Sequence, residues 1–86
     1  MKVTWSDKAL EQLQFWKRTN PKMSKRIRLL IDNISLTPYT GIGKPEPLKY
    51  ELSGFWSRRI DQEHRLIYFV NEKNQTIEIE SCKGHY

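Results

Sequence analysis

The 86-residue chain has few of the residues that hold disulfide-bonded, zinc-bound or membrane-spanning folds together. It contains a single cysteine, Cys82, which excludes an internal disulfide and a cysteine zinc cluster. No apolar run approaches the roughly 20 residues of a membrane-spanning helix, and no signal-peptide pattern opens the sequence. We therefore expect no membrane association and a cytoplasmic location.

Recognisable metal-binding and nucleotide-binding motifs are also missing. No group of Asp, Glu and His residues has the spacing of metal ligands, so we expect neither a metal nor another cofactor. The segment Gly41-Ile42-Gly43-Lys44 is similar to part of a phosphate-binding loop. It lacks the four-residue gap and the following Ser or Thr, which argues against a nucleoside-triphosphate site. Positive charge facing a phosphate would then have to come from arginine and lysine.

What the chain does have is an excess of basic residues. Lys and Arg number 15 against 10 Asp and Glu, which gives a net charge of +5. A length of 86 residues predicts one domain, spanning residues 1–86, with a single modest core. The charge favours a polyanionic partner, either nucleic acid or an acidic protein, while an ordinary basic surface is an open alternative.

The first half of the sequence carries two helical patterns. Ser6 is suited to cap a first helix that ends near Thr19, and Asn20-Pro21 starts a second helix with Pro at its first position. Apolar residues of the second helix recur at i, i+4, i+7, i+8 and i+11, which predicts a core-facing stripe: Met23, Ile27, Leu30, Ile31 and Ile34. The other face is basic and carries Lys22, Lys25, Arg26 and Arg28.

The second half carries strand patterns. After the Pro- and Gly-containing segment 37–47, turn signals separate four predicted strands: Leu48–Leu52, Phe55–Asp61, Arg65–Asn71 and Thr76–Cys82. Lys2–Trp5 predicts a further short strand in the same sheet. Two helices followed by a meander predict an α+β fold, with the helices packed on one face of a twisted antiparallel β-sheet.

Glu46 is the first candidate for chemistry. Pro45 and Pro47 restrict the backbone on both sides and hold the side chain in a loop rather than on a helix face. A carboxylate placed there has the chemistry to take a proton from a ribose 2′-hydroxyl. A solvated loop glutamate explains the same pattern, and the sequence alone favours that simpler interpretation.

Three arginines lie on the predicted strands: Arg58, Arg59 and Arg65. Strand alternation sends Arg58 and Arg59 to opposite faces of the sheet. The face of Arg58 also carries Trp56 and Ile60 and should meet the helices, so we expect Arg59 on the open face. Arginine suits a phosphate because its planar fork donates two hydrogen bonds at once. Surface salt bridges with acidic neighbours are an equal alternative.

The sequence closes on His85 and Tyr86. Imidazole exchanges protons near neutral pH, and a tyrosine ring can stack on a nucleobase. A histidine in this position often has no functional role. Here the preceding predicted strand would fix the position of the residues that follow it, which argues for a role. The other histidine, His64, lies in a tight turn, and we interpret it as structural or as a support to the site.

The blocks KPEPL, SGFWSRRI and EHRLIY, with MKVTWS and the final Gly84-His85-Tyr86, closely resemble the Txe/YoeB toxins of the RelE/ParE superfamily. The resemblance extends over essentially the whole chain. It implies a RelE-like fold, with two N-terminal helices against a twisted antiparallel sheet. It also implies the toxin of a type II toxin–antitoxin module. Such a toxin is a ribosome-dependent endoribonuclease that cleaves messenger RNA in the A site of the 70S ribosome and so inhibits translation.

The same resemblance implies which residues act. The family's catalytic glutamate, arginine and terminal histidine fall on Glu46, Arg65 and His85. Its substrate-binding lysine, arginine and tyrosine fall on Lys49, Arg59 and Tyr86. The implied partners are a cognate antitoxin, the ribosome with its messenger RNA, and a second copy of the chain in a homodimer. Operator DNA would be bound only through the antitoxin complex.

Two other functions are open at this point. One is a non-catalytic RelE/ParE-type inhibitor of a protein target such as gyrase, in which Glu46 and His85 would have no use. The other is a basic DNA-binding module, which is weaker because no recognition helix with base-reading residues stands out.

Overall fold

The computed structural model describes residues 1–84, and His85 and Tyr86 lie outside the described residues. Within that range, two helices pack on a five-stranded sheet, which confirms the predicted α+β fold. No helix in this range is long and apolar enough to cross a membrane. The elements in chain order are β1 (Lys2–Trp5), α1 (Asp7–Thr19), α2 (Pro21–Leu36), β2 (Glu46–Pro47), a 3-10 helix (Tyr50–Leu52), β3 (Trp56–Arg59), β4 (Arg65–Asn71) and β5 (Thr76–Ser81).

The sheet has the order β1-β5-β4-β3-β2 among the described residues. β2 to β5 form an antiparallel meander, whereas β1 pairs with β5 in parallel, so the sheet is mixed rather than fully antiparallel. Ser6 fixes this arrangement. Its hydroxyl accepts from the Ala9 amide at 3.0 Å as the cap of α1, and it donates to the Glu80 carbonyl at 2.7 Å. The helix start is therefore attached to the last strand, and β1 lies along the same edge.

One core lies between the helices and the sheet. All five residues of the predicted stripe on α2 are buried, as expected. They pack with residues of the helix-facing side of the sheet, among them Leu66, Tyr68, Val70, Ile77 and Ile79. Burying each such side chain contributes about 1.5–3 kcal/mol, so this layer supplies most of the fold's stability.

The predicted strand Leu48–Leu52 is wrong. Tyr50 has a φ of 59°, and the backbone closes into a 3-10 helix through hydrogen bonds from Leu52 N to Lys49 O at 3.1 Å and from Ser53 N to Tyr50 O at 3.0 Å. The pairing with β3 occurs earlier, at Glu46–Pro47. The alternation of apolar and polar residues in Leu48–Leu52 imitates a strand, but the open edge of β3 is already occupied by Glu46–Pro47.

Candidate active site

A small charged cleft of about 150 Å³ lies on the sheet face that points away from the helices. Strand pairing builds it. Glu46 lies opposite Ser57, and Arg59 lies directly opposite Arg65. Because Ser57 and Arg59 are two residues apart on β3, these side chains all project from one face. The residues that line the cleft are Lys44, Glu46, Leu48, Ser57, Arg59, Arg65 and Ile67. The structure thus brings together three of the predicted site residues, one carboxylate and two arginines.

The facing arginines are an arrangement that sheets normally avoid, because like charges directly opposite one another are destabilising. In the described part of the chain, Lys8 pairs with Glu80 at 3.3 Å and His64 Nε2 lies 3.8 Å from Glu63 Oε2, and neither contact involves Arg59 or Arg65. The salt-bridge alternative for Arg59 and Arg65 is therefore wrong. An anion bound between the two guanidinium groups would relieve their repulsion, so the cleft is built to receive negative charge.

Arg65 is held from one side. Its Nη1 donates to the carbonyls of Asp61 at 2.9 Å and His64 at 3.2 Å. Among residues 1–84 no hydrogen bond occupies Nε or Nη2, which form the other edge of the guanidinium. That edge presents two parallel N–H groups, the geometry that binds a phosphate in bidentate fashion.

The turn that holds Arg65 is itself ordered by Asp61. One carboxylate oxygen of Asp61 accepts from the backbone amides of Glu63 at 2.9 Å and His64 at 2.7 Å. Desolvation raises the pKa of Asp61, but the hydrogen bonds from His64 and Glu63 outweigh it, and the pKa is lowered. The carboxylate thus stays ionised and the turn stays closed around neutral pH.

Arg58 points into the core side, as the alternation predicts, and is fully buried. Its Nε donates to the Tyr68 hydroxyl at 3.1 Å, and Nη1 donates to Asn33 Oδ1 at 2.6 Å. The guanidinium also donates to three backbone carbonyls of one loop, at 3.0, 2.7 and 2.9 Å: Ile42, Thr37 and Thr40. Arg58 thereby fixes the loop that leads into Lys44 and Glu46.

Lys44 is a cleft residue that sequence reasoning missed. It has a φ of 50°, and the preceding Gly43 has a φ of 81°. The Gly43 carbonyl accepts from the Arg59 amide at 2.7 Å, and a Cβ at Gly43 would lie 2.8 Å from Leu30 Cδ2. The loop therefore approaches β3 closely and turns Lys44 into the cleft. Strand alternation does not mark Lys44 in the sequence, because its φ of 50° lies outside extended backbone and its place in the cleft depends on the contact between this loop and β3.

The other predicted residues are not brought together in the same way. Lys49 is exposed at the start of the 3-10 helix and does not line the cleft. His85 and Tyr86 lie outside the described residues, so their predicted roles stay predictions. Gly84, directly before them, donates its amide to His64 Nδ1 at 2.9 Å and accepts from the Arg65 amide at 2.8 Å. Within residues 1–84 no group of three or more His, Cys, Asp and Glu side chains is placed to hold a metal ion.

The single cysteine, Cys82, is buried and inert. Burial raises the pKa of the Cys82 thiol to about 12, and the thiol contacts the Ala9 carbonyl at 3.6 Å inside the core. A neutral thiol in this position has no access to the cleft. The chemistry available to the described residues is proton transfer to the exposed carboxylate of Glu46 and charge stabilisation by three cations around it.

Comparison with known proteins places these features in a family. Residues 5–86 match the family described as YoeB-like toxin of bacterial type II toxin-antitoxin system. Toxin YoeB of Escherichia coli strain K12 is 45% identical over 86 residues, which is 100% of both chains. A YoeB/ParE toxin from Agrobacterium tumefaciens has a TM-score of 0.97 at 44% identity, with 100% of both chains covered.

Two Staphylococcus aureus structures are similar over 100% of this chain and 98% of theirs. The YoeB–YefM complex has a TM-score of 0.91 at 44% identity. The YoeB dimer has a TM-score of 0.92 at 42% identity.

Proposed function

Because this chain belongs to the YoeB-like toxins of bacterial type II toxin–antitoxin systems, we propose that it is a ribosome-dependent endoribonuclease that cleaves messenger RNA in the A site. The observation that supports this proposal most is the cross-strand pair Arg59–Arg65 beside the carboxylate of Glu46. A cleft that holds one carboxylate among three cations, none of which forms an ion pair within residues 1–84, suits a phosphodiester better than it suits a protein surface.

In the proposed reaction, Glu46 takes the proton from the ribose 2′-hydroxyl, and the 2′-oxygen attacks the adjacent phosphorus in line. Arg65 binds the phosphate through the guanidinium edge formed by Nε and Nη2, and Arg59 and Lys44 share the negative charge as it develops. The bond from phosphorus to the 5′-oxygen then breaks. His85 gives that oxygen its proton, so the products are a 2′,3′-cyclic phosphate and a free 5′-hydroxyl.

The remaining predicted residues have supporting roles in this proposal. Tyr86 stacks on a nucleotide next to the cut, since aromatic rings bind bases of any sequence. Lys49, which stands outside the cleft, contacts the RNA backbone at a neighbouring phosphate rather than the one that reacts.

The proposed partners follow from the relatives. The YoeB of Staphylococcus aureus forms a complex with YefM and also a dimer. We expect this chain to bind a cognate antitoxin with an acidic segment that neutralises the cleft, and to form a homodimer. Operator DNA would be contacted through the antitoxin complex. The proposed place of action is the cytoplasm, where ribosomes are available.

The decisive experiment is a single-turnover assay on ribosomes programmed with a defined messenger RNA. Cuts are mapped by primer extension, with EDTA added at levels that leave ribosomes intact. We expect A-site cleavage that EDTA does not abolish, with a cyclic phosphate at the new 3′ end. Glu46→Gln should lower the rate by roughly 10²–10⁴-fold, the usual contribution of a general base.

The same assay can reject the proposal. Absence of cleavage on programmed ribosomes, together with inhibition of a protein target such as gyrase, would replace the nuclease with the inhibitor. A wild-type rate for Glu46→Gln would instead support a nuclease but show that Glu46 is not its general base.

A further inference from the structure

The segment that follows β5, residues 82–84, is held by side chains of α1 and of the turn before β4, and by one backbone hydrogen bond from the first residue of β4. β5 ends at Ser81. Beyond it, the Cys82 amide donates to Gln12 Oε1 at 2.7 Å, and the Cys82 carbonyl accepts from Trp16 Nε1 at 2.9 Å. Both partners lie on α1. Two hydrogen bonds therefore attach Cys82 to this helix.

The segment is then attached to the turn beside the cleft. The Gly84 amide donates to His64 Nδ1 at 2.9 Å, and the Gly84 carbonyl accepts from the Arg65 amide at 2.8 Å. Gly84 has a φ of 85°, which favours glycine, and an added Cβ would meet nothing within 4 Å. The requirement for glycine here is one of backbone conformation, not of space.

His64 is itself rigidly placed. Its side chain is 14% exposed, and its ring packs edge-on against Trp16 with 4.8 Å between centroids. The backbone amide donates to Asp61 Oδ1 at 2.7 Å, and the carbonyl accepts from the Ile60 amide at 3.0 Å. Because Nδ1 accepts the Gly84 amide, it carries no proton, so a neutral ring has its proton on Nε2, near Glu63 Oε2 at 3.8 Å.

One turn thus serves two purposes. Its carbonyls hold the Arg65 guanidinium, and its imidazole holds Gly84 directly before residues 85 and 86. We infer that His64 is a positioning residue that anchors the chain at Gly84, beside the turn that holds Arg65, and so fixes the point from which the proposed acid His85 and the proposed base-stacking residue Tyr86 follow. This inference rests on the proposed function, because it assumes that residues 85 and 86 act on the phosphate that Arg65 would bind.

Two variants of similar size separate the anchor from simple packing. His64→Asn places Oδ1 at the same number of bonds from the backbone as Nδ1, so it keeps an acceptor for the Gly84 amide. His64→Leu has nearly the same shape as Asn but no acceptor. Both lose the ring that packs on Trp16. Gln62→Ala, on the same turn with an exposed side chain, is the control.

The first measurement is single-turnover cleavage on programmed ribosomes. We expect His64→Leu to lower the maximal rate about 10- to 100-fold, since a misplacement of ~1 Å can cost ~10²-fold. The ribosome concentration at half-maximal rate should change less than about threefold, because the cations of the cleft are untouched. His64→Asn should keep a rate within roughly fivefold of wild type, and Gln62→Ala should match wild type. Equal losses in the Asn and Leu variants would overturn the inference.

The second measurement does not depend on activity. Amide hydrogen exchange followed by NMR should show the Gly84 amide protected in wild type and in His64→Asn, and at least about tenfold faster in His64→Leu. The β4 amides should be unchanged and serve as a check on folding. Free exchange of the Gly84 amide in wild type would overturn the anchor even if no cleavage is observed. Cleavage by wild type and His64→Leu at the same rate, with Gly84 released, would overturn it while leaving the proposed nuclease intact.

If His64→Leu does not fold, Gly84→Ala tests the same anchor. Alanine strains the backbone at a φ of 85° without a clash, so it should disturb the segment while leaving the imidazole in place. We expect a lower maximal rate, and a wild-type rate would contradict the inference.

Discussion

Neighbouring arginines on β3 have opposite surroundings although they are chemically identical. Arg58 is fully buried and satisfied by neutral oxygen acceptors, whereas Arg59 is exposed and faces another arginine. A buried charged side chain stabilises a particular fold only when its hydrogen-bonding groups all have partners, as the N–H groups of Arg58 do here. An exposed pair of like charges stabilises nothing by itself. The first arrangement is typical of structure and the second of a binding site.

At the residue scale, the sharpest prediction concerns Arg65. Arg65→Lys keeps the positive charge but loses the planar edge that donates two hydrogen bonds, and it cannot hold the same carbonyls of the turn. We expect Arg65→Lys to lower the cleavage rate on programmed ribosomes by roughly 10²-fold or more. Arg65→Ala should lower the rate by at most about a further tenfold. Recovery of the wild-type rate by lysine would mean that Arg65 acts only as a point charge.

A second prediction at this scale compares two lysines. Lys44 lines the cleft and Lys49 does not. Lys44→Ala should reduce the maximal single-turnover rate by roughly 10- to 100-fold, since it removes charge next to the reacting phosphate. Lys49→Ala should chiefly raise the ribosome concentration needed for half-maximal rate. The reverse pattern would assign the catalytic charge to Lys49 instead of Lys44.

The residue-scale inferences from sequence succeeded where a local rule applied. Strand alternation placed Arg59 on the open face and Arg58 towards the helices, and the structure agrees. The same rule does not extend to Lys44, because the φ of 50° at this residue lies outside extended backbone. It could not have identified what compensates the buried Arg58, because those acceptors come from a loop that is 16 or more residues away in sequence.

At the scale of elements, the segment between α2 and β3 is positioned by tertiary contacts rather than by its own structure. Glu46–Pro47 pairs with β3, the Gly43 carbonyl accepts from the Arg59 amide, and Arg58 holds the part before them by donating to three loop carbonyls. The sequence predicts the helices because each helical turn joins residues that are close together in the chain. The parallel placement of β1 and the 3-10 helix at Tyr50–Leu52 depend on distant strands, and local patterns do not contain them.

This arrangement predicts a division of roles between adjacent positions. Arg58→Met removes a buried donor and leaves five acceptors without it, so we expect the free energy of unfolding to fall by about 2–4 kcal/mol. Urea denaturation followed by circular dichroism measures the change. Arg59→Met is the matched control and should change stability by less than about 0.5 kcal/mol, or raise it, because the repulsion with Arg65 disappears.

The cleavage rates of these two variants should fall in the opposite order to their losses of stability, when both are measured as folded proteins. Under conditions where both variants are folded, Arg59→Met should cleave more slowly than wild type because the cleft has lost a cation. Equal losses of stability in the two variants would mean that the hydrogen bonds around Arg58 contribute little to the fold.

At the scale of the whole molecule, the protein is small and carries its charge on two surfaces. It measures 35 × 25 × 24 Å, with a net charge of +5. The cleft lies on one face of the sheet, and α2 on the other side presents exposed cations at Lys22, Lys25 and Arg28. A protein of this size has little surface with which to hold a flexible RNA strand in one conformation. Positioning by the ribosome would supply what its own surface lacks.

The last prediction follows from these two surfaces. Binding to ribosomes should weaken steeply with added salt, because each cation that meets a phosphate releases counterions. Replacing Lys22, Lys25 and Arg28 with Gln should reduce the slope of log affinity against log salt by roughly one for each of these cations that binds a phosphate in the wild type. The maximal cleavage rate should stay within about threefold of wild type, since the cleft is unchanged. Free message of the same sequence should be cut far more slowly than ribosome-bound message. Equal cleavage of the two would identify an ordinary ribonuclease, and an unchanged salt slope would exclude the α2 face from ribosome binding.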